Sequence, residues 1–313
     1  MLRFILYRLA SAIPTLVVVA LAVFVLIRAI PGDPVTTMLG DQADPATVQA
    51  LRQAYGLDGP WPWQFVLWVE RLISGDLGRS ITNGLPVAEL VADRFSVTAG
   101  VVFPAVAIAT LIAVPLGMIA AWRRGAGTDL AITAGATLLM SIPTFWLGLL
   151  ILMWLGLNLG WLPIVGYVGF AEDAGRALAY LVMPVLTLTI VEIGILTRMA
   201  RANTVEVLRL EYVTHARAKG LPEHMVMARH VFPNAFAPTL TLVGLILGNL
   251  LGGIAVTETI FSLPGLGRLL VDAIYARDYP VVQGGLLFIA GLYVVINLIV
   301  DLLHPLFDPR VAA

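Results

Sequence analysis

The sequence predicts an all-α integral membrane protein with six transmembrane helices and cytoplasmic N and C termini. Three observations predict it. Hydrophobic residues make up 59% of the 313 and charged ones 12%, with a mean hydropathy of +0.91, whereas a soluble domain carries roughly 25% charged residues. Apolar runs near 9–27, 98–122, 130–157, 178–196, 236–256 and 281–303 each approach or exceed the ~20 residues that cross a bilayer as a helix. Basic residues gather in alternate connections: Arg3 and Arg8, Arg123 and Arg124, Arg198 through Arg229, and Arg310. The positive-inside rule places those connections in the cytoplasm, and loops longer than about 60 residues, such as 31–96, escape it. The net charge of −1 argues against nucleic acid as a partner. The chain has no cysteine, which excludes disulfides, thiolate nucleophiles and Cys-ligated metal.

Taken in order, Arg3 and Arg8 before an apolar run resemble a secretory signal, but the run is as long as a span and is expected to stay as the first helix. Pro31-Gly32-Asp33-Pro34 breaks it. The outer region 31–96 has helical punctuation of its own. Asp44-Pro45 is an N-cap before a first-turn proline, with Gly56 closing three turns later. Trp61, Trp63 and Trp68 give the next stretch an aromatic density suited to a membrane interface or a docking face. Asn83-Gly84 signals a turn, and Pro86 opens a short helix through Phe95. Pro143 predicts a kink inside the third span. Pro143, Pro184 and the glycine-rich run from Gly244 to Gly253 either loosen the bundle as hinges or allow close helix packing. The chain reads as one domain, 1–313.

One long polar segment interrupts the second half, at 198–234. It holds His215, His224 and His230, the sole lysine Lys219, Arg217 and Arg229. From Thr204 the pattern is helical, with Val205, Leu208, Tyr212, Val213 and Ala216 on one face. Gly220 stands where a helix ends in the left-handed conformation, and Pro222 with Glu223 opens a second short helix. Two short helices then meet at a glycine corner, where small Ala216 and Gly220 would let a partner's groove close. Physics alone leaves a second reading open, a basic loop held by anionic headgroups.

What is missing narrows the chemistry. A P-loop needs lysine directly after glycine, but Lys219 follows Ala218, so any ATP-driven step belongs to another polypeptide. There is no Gly-x-Ser-x-Gly and no His-Glu-x-x-His. The three histidines, nine and six residues apart, fall on different faces and are not expected to bind metal. Polar groups in the spans invite functional readings because a charge at the bilayer centre costs roughly 2.5–3.5 kcal/mol. Glu192, near the inner end of helix four, Asn249 and Glu258 are candidates for a translocation path or gate. Interhelical hydrogen bonding is the alternative, and it is favoured for Asn297 and Asp301.

Glu211, Tyr212, Val213, Ala216, Arg217, Ala218, Lys219, Gly220 and Leu221, followed by Arg229, His230, Asn234 and Pro238, resemble the cytoplasmic EAA loop of ABC importer permeases. More narrowly they are similar to the dipeptide/oligopeptide/nickel permease family, whose loop runs close to D/E-Y-V-x-x-A-R-A-K-G-L. Thr214 and His215 depart from the generic loop. Further similarities come in the same order: Arg8, Pro14, Pro31 to Pro34, Gly75 to Ser80, Glu258 to Phe261, Pro264 to Gly267, Asp278 to Pro280, Asn297, Asp301, and Asp308 to Arg310. The resemblance implies a type I ABC importer transmembrane domain that imports di- or oligopeptides or similar small solutes by alternating access. It implies that 198–234 is a coupling loop, with Glu211, Tyr212, Ala216, Arg217, Lys219, Gly220, Leu221, Arg229 and His230 facing an ATPase. It also implies a paralogous permease, two ATPase subunits and an extracytoplasmic substrate-binding protein. ATP and Mg would sit on the ATPase subunits and no cofactor on this chain. Trp61, Trp63 and Trp68 are then candidates for the outer docking face. The rival is an ion-gradient-driven secondary transporter or channel, which calls for ionisable groups and a broken helix at mid-membrane. An intramembrane hydrolase would need a paired nucleophile and base in the spans, which the sequence lacks.

Overall fold

The computed structural model describes residues 2–29, 44–54 and 58–307, with the side chains of 2–9, 51 and 54 excluded. Pro31 to Pro34, Gly56, the side chain of Arg8, and Asp308 to Arg310 lie outside the described residues. Among those residues the secondary structure is helical, apart from a single isolated bridge between Arg79 and Pro86. Among the described residues, five helices are long and apolar enough to cross a membrane, and a sixth crossing arises if one bent pair is counted as a span.

Helix α1 covers Leu2–Ala29. Between α1 and the next long helix follow α2, Pro45–Ala54, opening on its proline, and α3, Trp61–Ile73, with Pro60 as its cap. Residues 78–87 form a tight turn in which Ser80 N donates to Leu85 O and Val87 N to Gly78 O. Helix α4 then runs unbroken from Val87 to Trp122, so the short helix through Phe95 and the second span are one element. Ser96 does not interrupt it because its hydroxyl donates back to the Asp93 carbonyl (2.6 Å), and Val91, Val97 and Val101 continue one buried face across the join.

The third span differs most from expectation. It is two helices, α5 Gly127–Ser141 and α6 Thr144–Ile151, the latter continued by wider turns Leu152–Asn158. The two arms meet at 91°. The residue before a proline is disfavoured in the helical region, and Ile142 accordingly stands extended (φ −79°, ψ 124°). Pro143 breaks the helix rather than kinking it.

Helix α7, Ala174–Val207, begins at Asp173, whose side chain accepts from Arg176 N. It continues past the expected end at 196, through Arg198 and Arg201, because Ala200, Asn203, Thr204 and Val207 keep a buried face. Helix α8, Glu211–Ala218, follows after a three-residue turn. Next comes a continuous run, Glu223–Gly253: α9 Glu223–Met225, wider turns Val226–Val231, and α10 Phe232–Gly253. Pro233 cannot donate to the Arg229 carbonyl and its ring crowds that carbonyl, which accounts for the wider turns just before it. The expected second short helix is therefore the first part of a span. The connection expected at 258–280 holds α11 Ala255–Ile260 and α12 Leu266–Tyr275, and α13 covers Tyr279–Phe307. The main core lies between α4, α7 and α10, around Val101, Ala105, Ala109, Leu188, Leu196 and Ile246.

Candidate functional site

The polar segment folds as a corner. Helix α8 ends at Ala218, Lys219 caps it, and Gly220 takes the left-handed conformation at φ 79°. The chain then reverses through Pro222 (φ −63°), which suits the first turn of a helix. The two limbs pack on a small apolar core of their own: Val207, Val213, Ala216, Val226, Val231 and Ala235, with Leu208, Leu221 and Met227 around it. Arg217 closes the corner from outside. Its Nε donates to Glu223 Oε2 (3.0 Å) and its Nη2 to Glu223 Oε1 (2.5 Å). The bond to Glu223 raises the guanidinium pKa above its ordinary value. Tyr212 Oη donates to the His230 carbonyl (3.3 Å), which also takes Asn234 Nδ2 (3.0 Å).

This geometry corrects two expectations about the corner. Ala216 is buried between the limbs, so it offers nothing to a partner's groove; its small size lets the limbs meet. Tyr212 falls off the buried face and stays exposed, as do Leu210 and Met225. These three, with Glu211, His215, Lys219, His224 and Arg229, form the outer face of the corner, while Leu221 and His230 are half-buried. The histidines gather no metal set: among the described residues no cluster of three or more metal-ligating side chains occurs.

The other candidates are scattered. Glu192 lies in the middle of α7, because that helix runs on past residue 196 to Val207. It is buried, and its Oε2 has no hydrogen-bond partner among the described residues. Asn249 is exposed on α10. Asn297 donates to Tyr293 O in its own helix. Glu258 is fully buried and ties three elements. Thr98 Oγ1 of α4 donates to its Oε1 (2.5 Å), Arg268 N of α12 donates to its Oε2 (2.8 Å), and Leu266 N donates to Thr98 Oγ1 (2.8 Å). A carboxylate at the start of α12 also meets the positive end of that helix. Trp61 and Trp63 are exposed, whereas Trp68 packs with Phe24 and Phe65 at ring separations of 5.6 and 6.1 Å. Trp68 thus anchors α3 to α1.

Comparison with known proteins settles what kind of molecule this is. Residues 113–313 match the family described as "binding-protein-dependent transport system inner membrane component", and residues 1–102 match its N-terminal counterpart. The chain belongs to that family. It is a multi-pass inner-membrane permease subunit of an ABC importer. A Brucella suis protein named provisionally as a peptide transport system permease is 42% identical over 99% of both chains. The dipeptide transport system permease proteins of Alkalihalophilus pseudofirmus and Escherichia coli K12 are 37% and 36% identical, each over 99% of both chains. A solved amino acid ABC transporter aligns at a TM-score of 0.47 and 20% identity, covering 71% of this chain and 94% of that one.

The permease has two further contacts that sequence reasoning missed, each joining residues far apart in the chain. Asp278 is buried and accepts from Ser80 Oγ (2.5 Å), Ile81 N (3.1 Å) and Thr82 N (3.2 Å), so the signatures Gly75–Ser80 and Asp278–Pro280 are halves of one structure. Asp129 and Arg201 pair in a bidentate fork, Nε to Oδ1 at 2.6 Å and Nη2 to Oδ2 at 2.7 Å. Neither aspartate has a local motif that names its partner.

Proposed function

We propose that this permease passes di- and oligopeptides inward by alternating outward- and inward-facing states, with ATP hydrolysed on another polypeptide. The observation that carries this reading is likeness at full length: two relatives named as dipeptide permeases match 99% of the chain at 36–37% identity. The corner at 211–231 is where the ATPase docks. Its outer face combines exposed Leu210, Tyr212 and Met225 with Lys219, His215 and Arg229, a mix of apolar anchors and charge suited to a protein groove. Both limbs lead into long helices, Ala174–Val207 and Glu223–Gly253, so force on the corner has a direct route into the bundle. The arginine distribution supports a cytoplasmic corner and cytoplasmic termini.

In the assembly we read, a paralogous permease pairs with this chain. Two ATPase subunits, holding ATP and Mg, sit on the corner's side, and a substrate-binding protein docks opposite. Trp61 and Trp63 are candidates for that outer contact, and Trp68, half-buried against Phe24 and Phe65, is a candidate that also braces the helix carrying them. This chain itself is a transport subunit and holds no cofactor in this scheme. The test is purification of the tagged permease in mild detergent, identification of what accompanies it, and peptide uptake in liposomes. An ATPase subunit and a peptide-binding protein should co-purify, and uptake should need ATP. Peptide uptake by the chain alone on an ion gradient would overturn the reading in favour of a secondary transporter.

A further inference from the structure

We infer that the Asp129–Arg201 pair is a strut that makes the bent pair α5–α6 move with the corner. The inference rests on the reading that an ATPase drives that corner. Arg201 stands six residues before the end of α7 at Val207, and the chain reaches α8 through a turn in which Leu208 N and Leu210 N bond back to Thr204 O and Val207 O. The other limb is fastened to the same end of α7, where Asn203 Nδ2 donates to Thr239 Oγ1 of α10 (3.1 Å). Movement of the corner is therefore movement of this end of α7.

Asp129 fixes α5 to that end. Both its oxygens are taken by the Arg201 fork, and they also accept from Gly125 N (3.0 Å) and Thr133 Oγ1 (3.3 Å). The side chains are 8% and 28% exposed. Two backbone approaches flank the pair. A Cβ on Gly194 of α7 would lie 2.6 Å from Ala136 O of α5, and one on Gly117 of α4 would lie 2.7 Å from Arg201 N. A shielded ion pair adds little net stability over a well-packed apolar substitute. Its planar fork instead admits essentially one orientation, which is what a strut requires.

Beyond the strut, α5 leads to the break at Ile142–Pro143. On the other side of that break Gly148 of α6 faces Thr187, Ile260 and Phe261, next to the buried Glu258. Tilting α5 therefore shifts α6 against α11. With the ion pair cut, the corner would move while the bent pair α5–α6 stays behind, and ATP would be hydrolysed without a matching passage of substrate.

The experiment compares native, Asp129→Asn, Arg201→Lys and the double variant as purified complexes in liposomes. Peptide moved per ATP hydrolysed is the readout, with a dipeptide as probe. Asparagine keeps the side-chain shape and an acceptor for Gly125 N; lysine keeps the charge and loses the fork. The expected result is a fall of about tenfold in peptide per ATP for Asp129→Asn, with ATPase co-purification unchanged and the double variant no worse than Asp129→Asn. Should Asp129→Asn fail to reach the membrane, Arg201→Lys decides: a lowered ratio supports the strut. An unchanged ratio in the single variants that reach the membrane, or losses that multiply in the double, overturns the strut alone. A native chain that transports without an ATPase overturns the strut together with the docking reading.

Discussion

Gly220 holds φ 79°, and nothing lies within 4 Å of where its Cβ would be. The obstacle to a side chain there is backbone strain, about 1–2 kcal/mol for an ordinary residue, and not a clash. Asparagine tolerates the left-handed region and valine does not. Gly220→Asn should therefore keep most ATP-driven uptake, while Gly220→Val loses it at near-native membrane levels; equal uptake in both would show that the conformation does not matter. Ala216 makes the opposite case. Ala216→Glu would force a charge between the limbs, so loss of ATPase binding in that variant should come with faster proteolysis at Arg217 and Lys219. Binding lost from an intact, protease-resistant corner would mean that Ala216 faces the partner after all. At Glu258, Glu258→Ala strands Arg268 N, at about 1–3 kcal/mol for a buried unsatisfied group, and leaves the Thr98 hydroxyl only the longer bond to Arg94 O (3.4 Å). A clear fall in thermal stability in detergent is expected, before any effect on substrate selectivity.

At the scale of elements, sequence pattern located the apolar helices because runs of twenty apolar residues have few other uses. It located the corner because glycine and proline are local signals with local consequences. It failed where a helix outlived its signal. Arg198 and Arg201 read as an end to helix four, yet α7 continues to Val207 because its buried face is made of small and polar residues, Ala200, Asn203 and Thr204. Ser96 read as a boundary and is absorbed by a bond to its own backbone. Pro143 read as a kink, and the extended backbone it imposes on Ile142 turns the chain through 91°. That angle can be measured. The chain has no cysteine, so spin labels at the exposed positions Leu130 and Leu157 would report one distance, which Pro143→Ala should lengthen as the arms straighten. An unchanged distance would assign the bend to packing against α7 and α11 and not to the proline.

Across the whole molecule, the contacts that fix the architecture join residues with no local reason to be paired. Ser80 and Asp278 are 198 positions apart, and Asp129 and Arg201 are 72 apart. Hydropathy and turn chemistry say nothing about such partners, so the candidate site was legible as a segment while its fastenings were not. Orientation, by contrast, belongs to the charge pattern of the entire chain. A cysteine replacing exposed His215 should react with an impermeant thiol reagent only in inverted vesicles. Labelling in intact cells would reverse the topology and place the corner outside.

The right-angled pair also bears on how the chain enters the membrane during synthesis. Arm α5 has fifteen residues, a rise of about 22 Å, short of the ~30 Å apolar layer. The second arm has eight residues of α-helix and seven of wider turns, and is no longer. Neither arm can complete a crossing alone, and the helical ladder is interrupted between them: Ile142 N keeps a long bond to Leu139 O (3.4 Å) and Pro143 has no N–H to give, a gap that lipid cannot fill. Helix α7, emerging later from the ribosome, supplies the surface that shelters both arms, through Gly194 against α5 and Thr187 against Gly148 of α6. Insertion of this region thus has an order: the pair waits at the interface until α7 arrives. A cysteine at Ala136, buried against α7 in the finished fold, should react with a water-soluble thiol reagent in a chain halted before Ala174 and be protected in one extended to Leu210.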